Sequence, residues 1–338
     1  MSATMKDVAT RAGVSVKTVS RVVNREPYIR PETVARVEAA IAELDWVSNR
    51  SARALRTGRT GNIGVVVTEL RRPYLAMLVE SLVHEAGLRG LTATVEPTHG
   101  SPERVVEALR AAGYLYDGVI LVDPPAAAFA QRRPAPADPV VVVHGRGLDL
   151  QSATVDEDLT EAAGLIAHHL RLMGRSRPVL LGWDRSSQQG DGSGPSPTLL
   201  AALLAEGIDG AAVPRIPVDG SPDRQAGASA SGQALELRPD LDALVCMNDE
   251  VAIGALATLS ARAVPVPEAV SVIGYGNLTE GRFTTPTLTT VDPGVDRIAR
   301  AALDLLTEGL SGRGPSTPRR TTVPVTLRRR ESTMGVVS

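Results

Sequence analysis

A single cysteine in 338 residues sets the first limit. Cys246 has no intramolecular partner, which fits a reducing compartment. Aromatic residues reach only 3%, so the core must rest on Ala, Val, Leu and Ile. Lys6 and Lys17 are the only lysines; every other basic side chain that stays charged at neutral pH is arginine. No stretch reaches the ~18 apolar residues that a membrane-spanning helix needs. Residues 1–24 are polar and charged, without the apolar run of a secretory signal. No membrane partner and a cytoplasmic location are therefore expected. Metal chemistry is short of candidates too. His168 and His169 are adjacent, and neighbours on a helix do not share a face. Gly58-x-x-Gly61-x-x-Gly64 precedes a strand rather than following one, the wrong order for a dinucleotide loop. No Ser/His/Asp or Cys/His set is suggested locally, and Cys246 ends an apolar run, as a core residue would. No metal, no cofactor and no enzymatic activity are expected.

What is present begins with a charge asymmetry. The net charge is −2, but residues 1–60 carry 11 Lys+Arg against 6 Asp+Glu, and the remainder carries 25 against 32. A basic head on an acidic body suits contact with a polyanion. The length allows a small domain followed by a large one.

Residues 5–45 read as three short helices. Met5, Val8, Ala9 and Ala12 share a face of the first, and Gly13 breaks it. Ser15 is a good N-cap for a second helix, Val16 to Asn24. Pro31 fits the first turn of a third, which faces Val34, Val37, Ala40, Ile41 and Leu44 inward. Residues 46–60 are Arg-rich and Gly-punctuated like a linker; a helix from Asn49 to Arg56 would need help to form. From Asn62 the pattern changes. Ile63–Val67, Ala93–Val95, Val119–Val122, Val140–Val143, Val179–Leu181, Ala243–Met247 and Ser271–Ile273 read as buried strands. Amphipathic helices lie between them: Tyr74–Arg89, Glu103–Ala112, Leu159–Met173, Glu250–Arg262 and Val295–Leu310. This alternation predicts parallel sheets with helices on both faces, in two lobes. Ser186–Pro197 reads as a Gly/Ser/Pro-rich loop.

The densest signal is Asp7-Val8-Ala9-x-x-Ala12-Gly13-Val14-Ser15-Val16-x-Thr18-Val19-Ser20-Arg21-Val22-Val23-Asn24. Ala9 and Gly13 are small where two helices would cross closely, and Val14 and Val19 can fill the gap. The second helix then exposes Ser15, Val16, Lys17, Thr18, Ser20 and Arg21. Hydroxyls at a helix N-terminus suit phosphates, and long donors suit base edges. The segment closely resembles the headpiece of the LacI/GalR family of bacterial repressors. The likeness continues through Glu38–Leu44, Asn49–Thr60, Ile63–Val67, Asp117–Leu121, Asn248-Asp249, Val270–Tyr275, Leu288–Val291 and Arg330–Thr333.

The resemblance implies an all-α helix-turn-helix headpiece (residues 1–47), a hinge helix and linker (48–60) and a periplasmic-binding-protein-like α/β core of two Rossmann-like lobes (61–338). The first lobe would hold about 61–157 and 292–320, the second about 158–291 and 321–338. By position, Val16, Lys17 and Arg21 would read base edges in the major groove, and Thr4, Ser15, Thr18, Ser20 and Asn24 would meet phosphates; helix capping is the competing role for the hydroxyls. Ala52 and Leu55 would enter the minor groove, Leu55 as an apolar wedge. Two heads on a palindromic double-stranded operator imply a homodimer, and the C-terminus lacks the heptads of a tetramerising helix. A small-molecule effector would lie between the lobes at strand ends, near Tyr74, His144, Asn248, Asp249 and Asn277. The family pattern breaks there. His144 and Gly276 stand where aspartates are frequent, and Gly194 or Pro195 where an arginine is usual. A sugar is the first expectation by family habit; an unusual effector, or none, is the alternative. A solute-binding transport protein and a Rossmann-type enzyme with a regulatory head are the competing classes; the headpiece motif and the lack of a secretory run argue against the first, and no turnover with nucleotide cofactors is expected of the second.

Overall fold

The computed structural model describes residues 3–23, 26–46, 59–135, 138–145, 148, 150–182, 195–209, 212–218, 220–311 and 319–335. The chain divides into two units, Met1–Gly61 and Asn62–Ser338.

Among its described residues the first unit holds three helices, α1 (Met5–Ala12), α2 (Val16–Val23) and α3 (Pro31–Glu43). Local chemistry sets their ends. Thr4 and Asp7 form a reciprocal capping box before α1. Gly13 closes α1 at φ 65°, a conformation that glycine adopts freely. The Thr18 amide donates to Ser15 Oγ at 3.1 Å, so Ser15 caps α2. Pro31 occupies the first turn of α3. Val8, Val19 and Val37 have no exposed surface and meet with Ala9, Ala12, Val22, Ala40 and Trp46 in one core. Burying a valine fully is worth roughly 1.5–3 kcal/mol, so these few contacts dominate the stability of so small a unit.

The second unit contains two six-stranded sheets. The first comprises β1 (Asn62–Val67), β2 (Thr92–Pro97), β3 (Gly118–Val122), β4 (Val140–Val143), β5 (Ala153–Glu157) and β11 (Arg320–Val323), in the order β11-β5-β4-β3-β1-β2. All its pairings are parallel. Helices α4 (Pro73–Leu88), α5 (Pro102–Ala111), α6 (Ala127–Gln131) and α11 (Val295–Leu310) belong to this lobe. The second sheet comprises β6 (Pro178–Leu181), β7 (Arg215–Ile216), β8 (Ala243–Cys246), β9 (Ser271–Tyr275), β10 (Thr289–Asp292) and β12 (Thr326–Arg328), in the order β12-β10-β9-β8-β6-β7. Only β12 runs antiparallel. Its helices are α7 (Leu159–Leu172), α8 (Pro195–Ala205), α9 (Arg224–Leu237), α10 (Asp249–Ala261) and α12 (Glu331–Met334). Every residue of β3, β4, β6 and β8 is buried, as parallel strands covered on both faces must be.

The chain crosses between the sheets three times: after Glu157, after Asp292 and after Val323. The sequence placed the last crossing near residue 320; β11 keeps the chain in the first sheet to Val323. The sequence also left β5, β7, β10, β11, β12, α6, α8, α9 and α12 unnamed. Helix α9 reads Arg-Gln-Ala-Gly-Ala-Ser-Ala-Ser-Gly and lacks large apolar residues at helical spacing because it packs backbone to backbone on α10. A Cβ on Gly227 would lie 2.2 Å from Val251 O, and one on Gly254 would lie 1.9 Å from Arg224 O. The stretch read as a loop from Ser186 to Pro197 turns helical at Pro195; residues 186–194 lie outside the described residues. Among the described residues no helix is long and apolar enough to cross a membrane, and no group of three His, Cys, Asp or Glu side chains is placed to hold a metal ion. His169 is buried with its Nε2 2.8 Å from Thr333 Oγ1. Cys246 lies in the core of the second lobe, where burial pushes its thiol pKa up.

Candidate reading helix and interlobe cleft

Helix α2 divides cleanly into two sides. Val19 and Val22 face the core, while Val16 is 45% exposed and Lys17 is exposed beside it. The hydroxyls at its start are engaged in capping: Ser15 Oγ and Thr18 Oγ1 are 2.9 Å apart. Thr4 is similarly engaged at the start of α1, donating from its hydroxyl to Asp7 Oδ2 at 2.7 Å. Those bonds hold the Asp7 carboxyl below its ordinary pKa. Capping commits the Thr4 hydroxyl hydrogen to Asp7 and leaves one of the two hydroxyl hydrogens of Ser15 and Thr18 for an outside acceptor. Arg21 lies in the last turn of α2, and its Nε donates to Glu26 Oε2 at 3.0 Å. Ser20 is half-buried. Asn24, Ala52 and Leu55, together with the expected hinge helix, lie outside the described residues.

In the second unit, strand ends from both lobes bring four polar side chains into line. Tyr74, in the first turn of α4, places its hydroxyl 3.1 Å from His144 Nε2, and the two rings lie 5.7 Å apart between centroids. His144 follows β4 directly and has φ 58°. Its Nδ1 lies 2.9 Å from Glu157 Oε2. Glu157 ends β5 just before the first crossing, and its other oxygen accepts a hydrogen bond from the Tyr275 hydroxyl at 3.1 Å. Tyr275 ends β9 in the second lobe, so this bond joins the two lobes. His144 and Glu157 are 11% and 5% exposed. The two hydrogen bonds, Tyr74 to His144 and Tyr275 to Glu157, with the close His144–Glu157 contact between them, restrain these side chains in a low-dielectric site. Sequence reasoning named Tyr74 and His144 but missed Glu157 and Tyr275.

On the second-lobe side the expected residues support one another. Asn248 caps α10, accepting from the Val251 amide at 2.8 Å and donating to Pro222 O at 2.9 Å. Asn248, not the Asp249 that opens the helix, is therefore its N-cap. Asp249 has no exposed surface. Its Oδ1 accepts from Thr290 Oγ1 at 2.5 Å and its Oδ2 from the Leu278 amide at 2.7 Å. Burial pushes its carboxyl pKa up to about 6, against the lowering effect of those two bonds. Gly274 makes room for it: a Cβ there would lie 2.2 Å from Asp249 Oδ1. Asn277, at φ 51°, donates from its amide to Asp292 Oδ2 at 3.2 Å and accepts from Arg330 Nη2 at 2.7 Å. Gly276 before it has φ 127°, accessible in practice only to glycine. A Cβ there would sit 3.6 Å from the Tyr74 ring, so the tyrosine of one lobe lies close to this backbone of the other. Gly276 and Asn277 also border a cavity of about 370 Å³, whose other walls include Met77, Glu80 and Ser81 of α4 and Arg328 of β12. The arrangement offers an aromatic ring, hydroxyls, an imidazole and a carboxylate at the junction of two lobes, as suits a polar small molecule.

Residues 4–49 match the family described as "Bacterial regulatory proteins, lacI family". Residues 167–333 match the "Periplasmic binding protein-like domain". The ribose operon repressor of Escherichia coli is 30% identical, over 90% of this chain and 92% of the repressor. Among solved structures, a transcriptional regulator of LacI family from Sanguibacter keddieii is 34% identical with a TM-score of 0.70, covering 81% of this chain and 100% of that one. The Lac repressor dimer bound to operator and the anti-inducer ONPF shares the fold over 98% of this chain and 99% of its own, with a TM-score of 0.79 at 24% identity.

Proposed function

The chain belongs to the LacI family of bacterial regulatory proteins, and from that membership we propose that it is a transcriptional repressor whose headpiece reads an operator while its two-lobed core senses a small molecule. The observation that carries this reading is α2, which buries valines on one side and presents Val16, Lys17 and Arg21 on the other. Val16, Lys17 and Arg21 would contact base edges in the major groove, and Thr4, Ser15, Thr18, Ser20 and Asn24 would contact phosphates. Ala52 and Leu55 would enter the minor groove from paired hinge segments. The operator is a palindrome, met by a homodimer in the cytoplasm. The relatives are repressors, and we read this chain as a regulator without catalytic activity.

The effector binds between the lobes beside Tyr74, His144 and Asn277, with Asn248 and Asp249 supporting the wall behind them. Its binding shifts the lobes and so changes DNA affinity, a coupling of about 1–3 kcal/mol in typical cases. A carbohydrate is the first reading, on the relationship to the ribose operon repressor. An unusual effector is the second. Gly276 supplies no side chain, and the Glu157–Tyr275 bond already links the lobes, so the cleft holds a different set of partners from a sugar clamp of charged residues. Selection of the full-length protein against random duplex DNA, at about 50 and 200 mM salt, tests the whole reading. A palindrome whose affinity falls steeply with salt is expected; enrichment of no sequence overturns it.

A further inference from the structure

The loop after α2 holds Arg21 in a way that the helix pattern alone does not require. Arg21 Nε donates to Glu26 Oε2 at 3.0 Å, and its Nη2 donates to Pro27 O at 3.4 Å. The Glu26 amide returns a hydrogen bond to the Arg21 carbonyl at 3.0 Å. Backbone and side chain of one residue therefore clasp the arginine from both ends. The turn continues through Tyr28, whose φ of 67° is uncommon for a bulky residue. The two charged side chains are 41% and 46% exposed, so the pair faces solvent rather than the core.

A guanidinium can meet a guanine along its Nε–Nη edge or through its two terminal nitrogens. Here the Nε edge is committed to a carboxylate. With one Nη2 hydrogen given to Pro27 O, the second Nη2 hydrogen and those of Nη1 are left to fork at the terminal end. We infer that Glu26 is a positioning residue for sequence reading: it turns the Arg21 guanidinium so that the terminal nitrogens meet O6 and N7 of one guanine. The inference rests on α2 being the reading helix and adds a carboxylate to the specificity apparatus. Glu26 acts in two ways. It fixes an orientation that a flexible side chain would otherwise lose entropy to reach. It also offsets one positive charge beside the phosphates, weakening the sequence-independent part of binding. An exposed ion pair adds little to fold stability, so its effect belongs in discrimination.

Full-length protein and its Glu26→Ala, Glu26→Gln, Arg21→Ala and Arg21→Ala/Glu26→Ala variants are titrated against the selected duplex, a panel with each base pair of the half-site replaced, and a random duplex. The base pair read by Arg21 is the one whose preference disappears in Arg21→Ala. At that pair Glu26→Ala lowers discrimination about two- to fivefold, the range that an exposed ion pair can supply, and leaves the other pairs unchanged. Glu26→Gln keeps an acceptor without the charge; it retains more discrimination than alanine and binds the random duplex more tightly than wild type. In the Arg21→Ala background, Glu26→Ala changes nothing at that pair. Unchanged discrimination in Glu26→Ala overturns the inference while leaving the regulator reading intact. An equal loss at every base pair also overturns it, because that is the mark of a distorted headpiece. A wild-type protein that prefers no duplex removes the regulator reading and this inference together.

Discussion

Replacing Asp249 by asparagine should change how the stability of this protein depends on pH. The carboxyl is fully buried, and its pKa stands at about 6 against an ordinary 3.8. Below the ordinary value the group is protonated in both the folded and unfolded chains and contributes nothing to the pH dependence. Between about 4 and 6 the unfolded chain releases this proton while the folded chain keeps it, so stability falls as pH rises. Above the folded value the loss is complete. A shift of roughly two units corresponds to about 3 kcal/mol. Asparagine is nearly isosteric. Its carbonyl can accept the Leu278 amide hydrogen, and its amide can donate to the Thr290 hydroxyl, which turns to accept. Gly274 leaves space for either group. The variant therefore keeps the geometry and loses the titration. Several other carboxyls, Asp7, Glu85, Glu103, Glu206 and Glu331, are shifted downward by their partners. They make stability rise with pH, but they are common to both proteins and cancel in the difference. Urea unfolding followed by circular dichroism, at fixed protein concentration from pH 4 to pH 7.5, measures that difference. The stability of wild type minus that of Asp249→Asn should fall by about 3 kcal/mol across the range. A flat difference would refute the reasoning. A difference that rises with pH would mean that the hydrogen bonds from Thr290 and Leu278 outweigh burial.

Three further outcomes follow from the same contacts. Gly254→Ala forces a methyl group against the Arg224 carbonyl where two helix backbones meet, and should cost about 3 kcal/mol in the same unfolding assay; a loss below about 1 kcal/mol would mean that α9 and α10 separate easily. Tyr275→Phe removes the hydrogen bond to Glu157 that joins the lobes and should destabilise by about 1 kcal/mol, with a wider lobe separation in solution scattering. Arg21→Ala should erase preference at one base pair, worth about 1–3 kcal/mol, whereas Ser20→Ala should weaken all duplexes alike in competition titrations.

The headpiece was legible because its signals are local. Caps at Thr4 and Ser15, the first-turn Pro31, the break at Gly13 and the spacing of Val8, Val19 and Val37 lie within a few residues of what they control. The buried parallel strands were legible for a similar reason, as continuous apolar runs such as Val140–Val143. Strands β5, β10, β11 and β12 are short and mix Thr, Asp, Glu and Arg with a single Val or Leu each, so alternation and apolarity both fail. Helix α9 escaped because glycine, alanine and serine make its contact. The cleft was the hardest to read. Tyr74 and His144 were singled out separately, but nothing local shows that residues 70 positions apart share a hydrogen bond, or that Glu157 stands behind them with Tyr275 from the other lobe. Asparagine and histidine enter positive φ more readily than most residues, but the residue type alone does not say that His144 and Asn277 are the ones that do. Glu26 reads from sequence as one more solvated charge in a loop.

Hydroxyl-radical footprinting of the full-length protein on its selected duplex tests the central claim most directly. Two equivalent protected patches related by a dyad, about one helical turn apart or a multiple of that, are the predicted result, with both patches lost in a variant carrying alanine at Lys17 and Arg21. A single patch, uniform protection, or a footprint that survives the double substitution would contradict the assignment of α2 as the element that enters the groove.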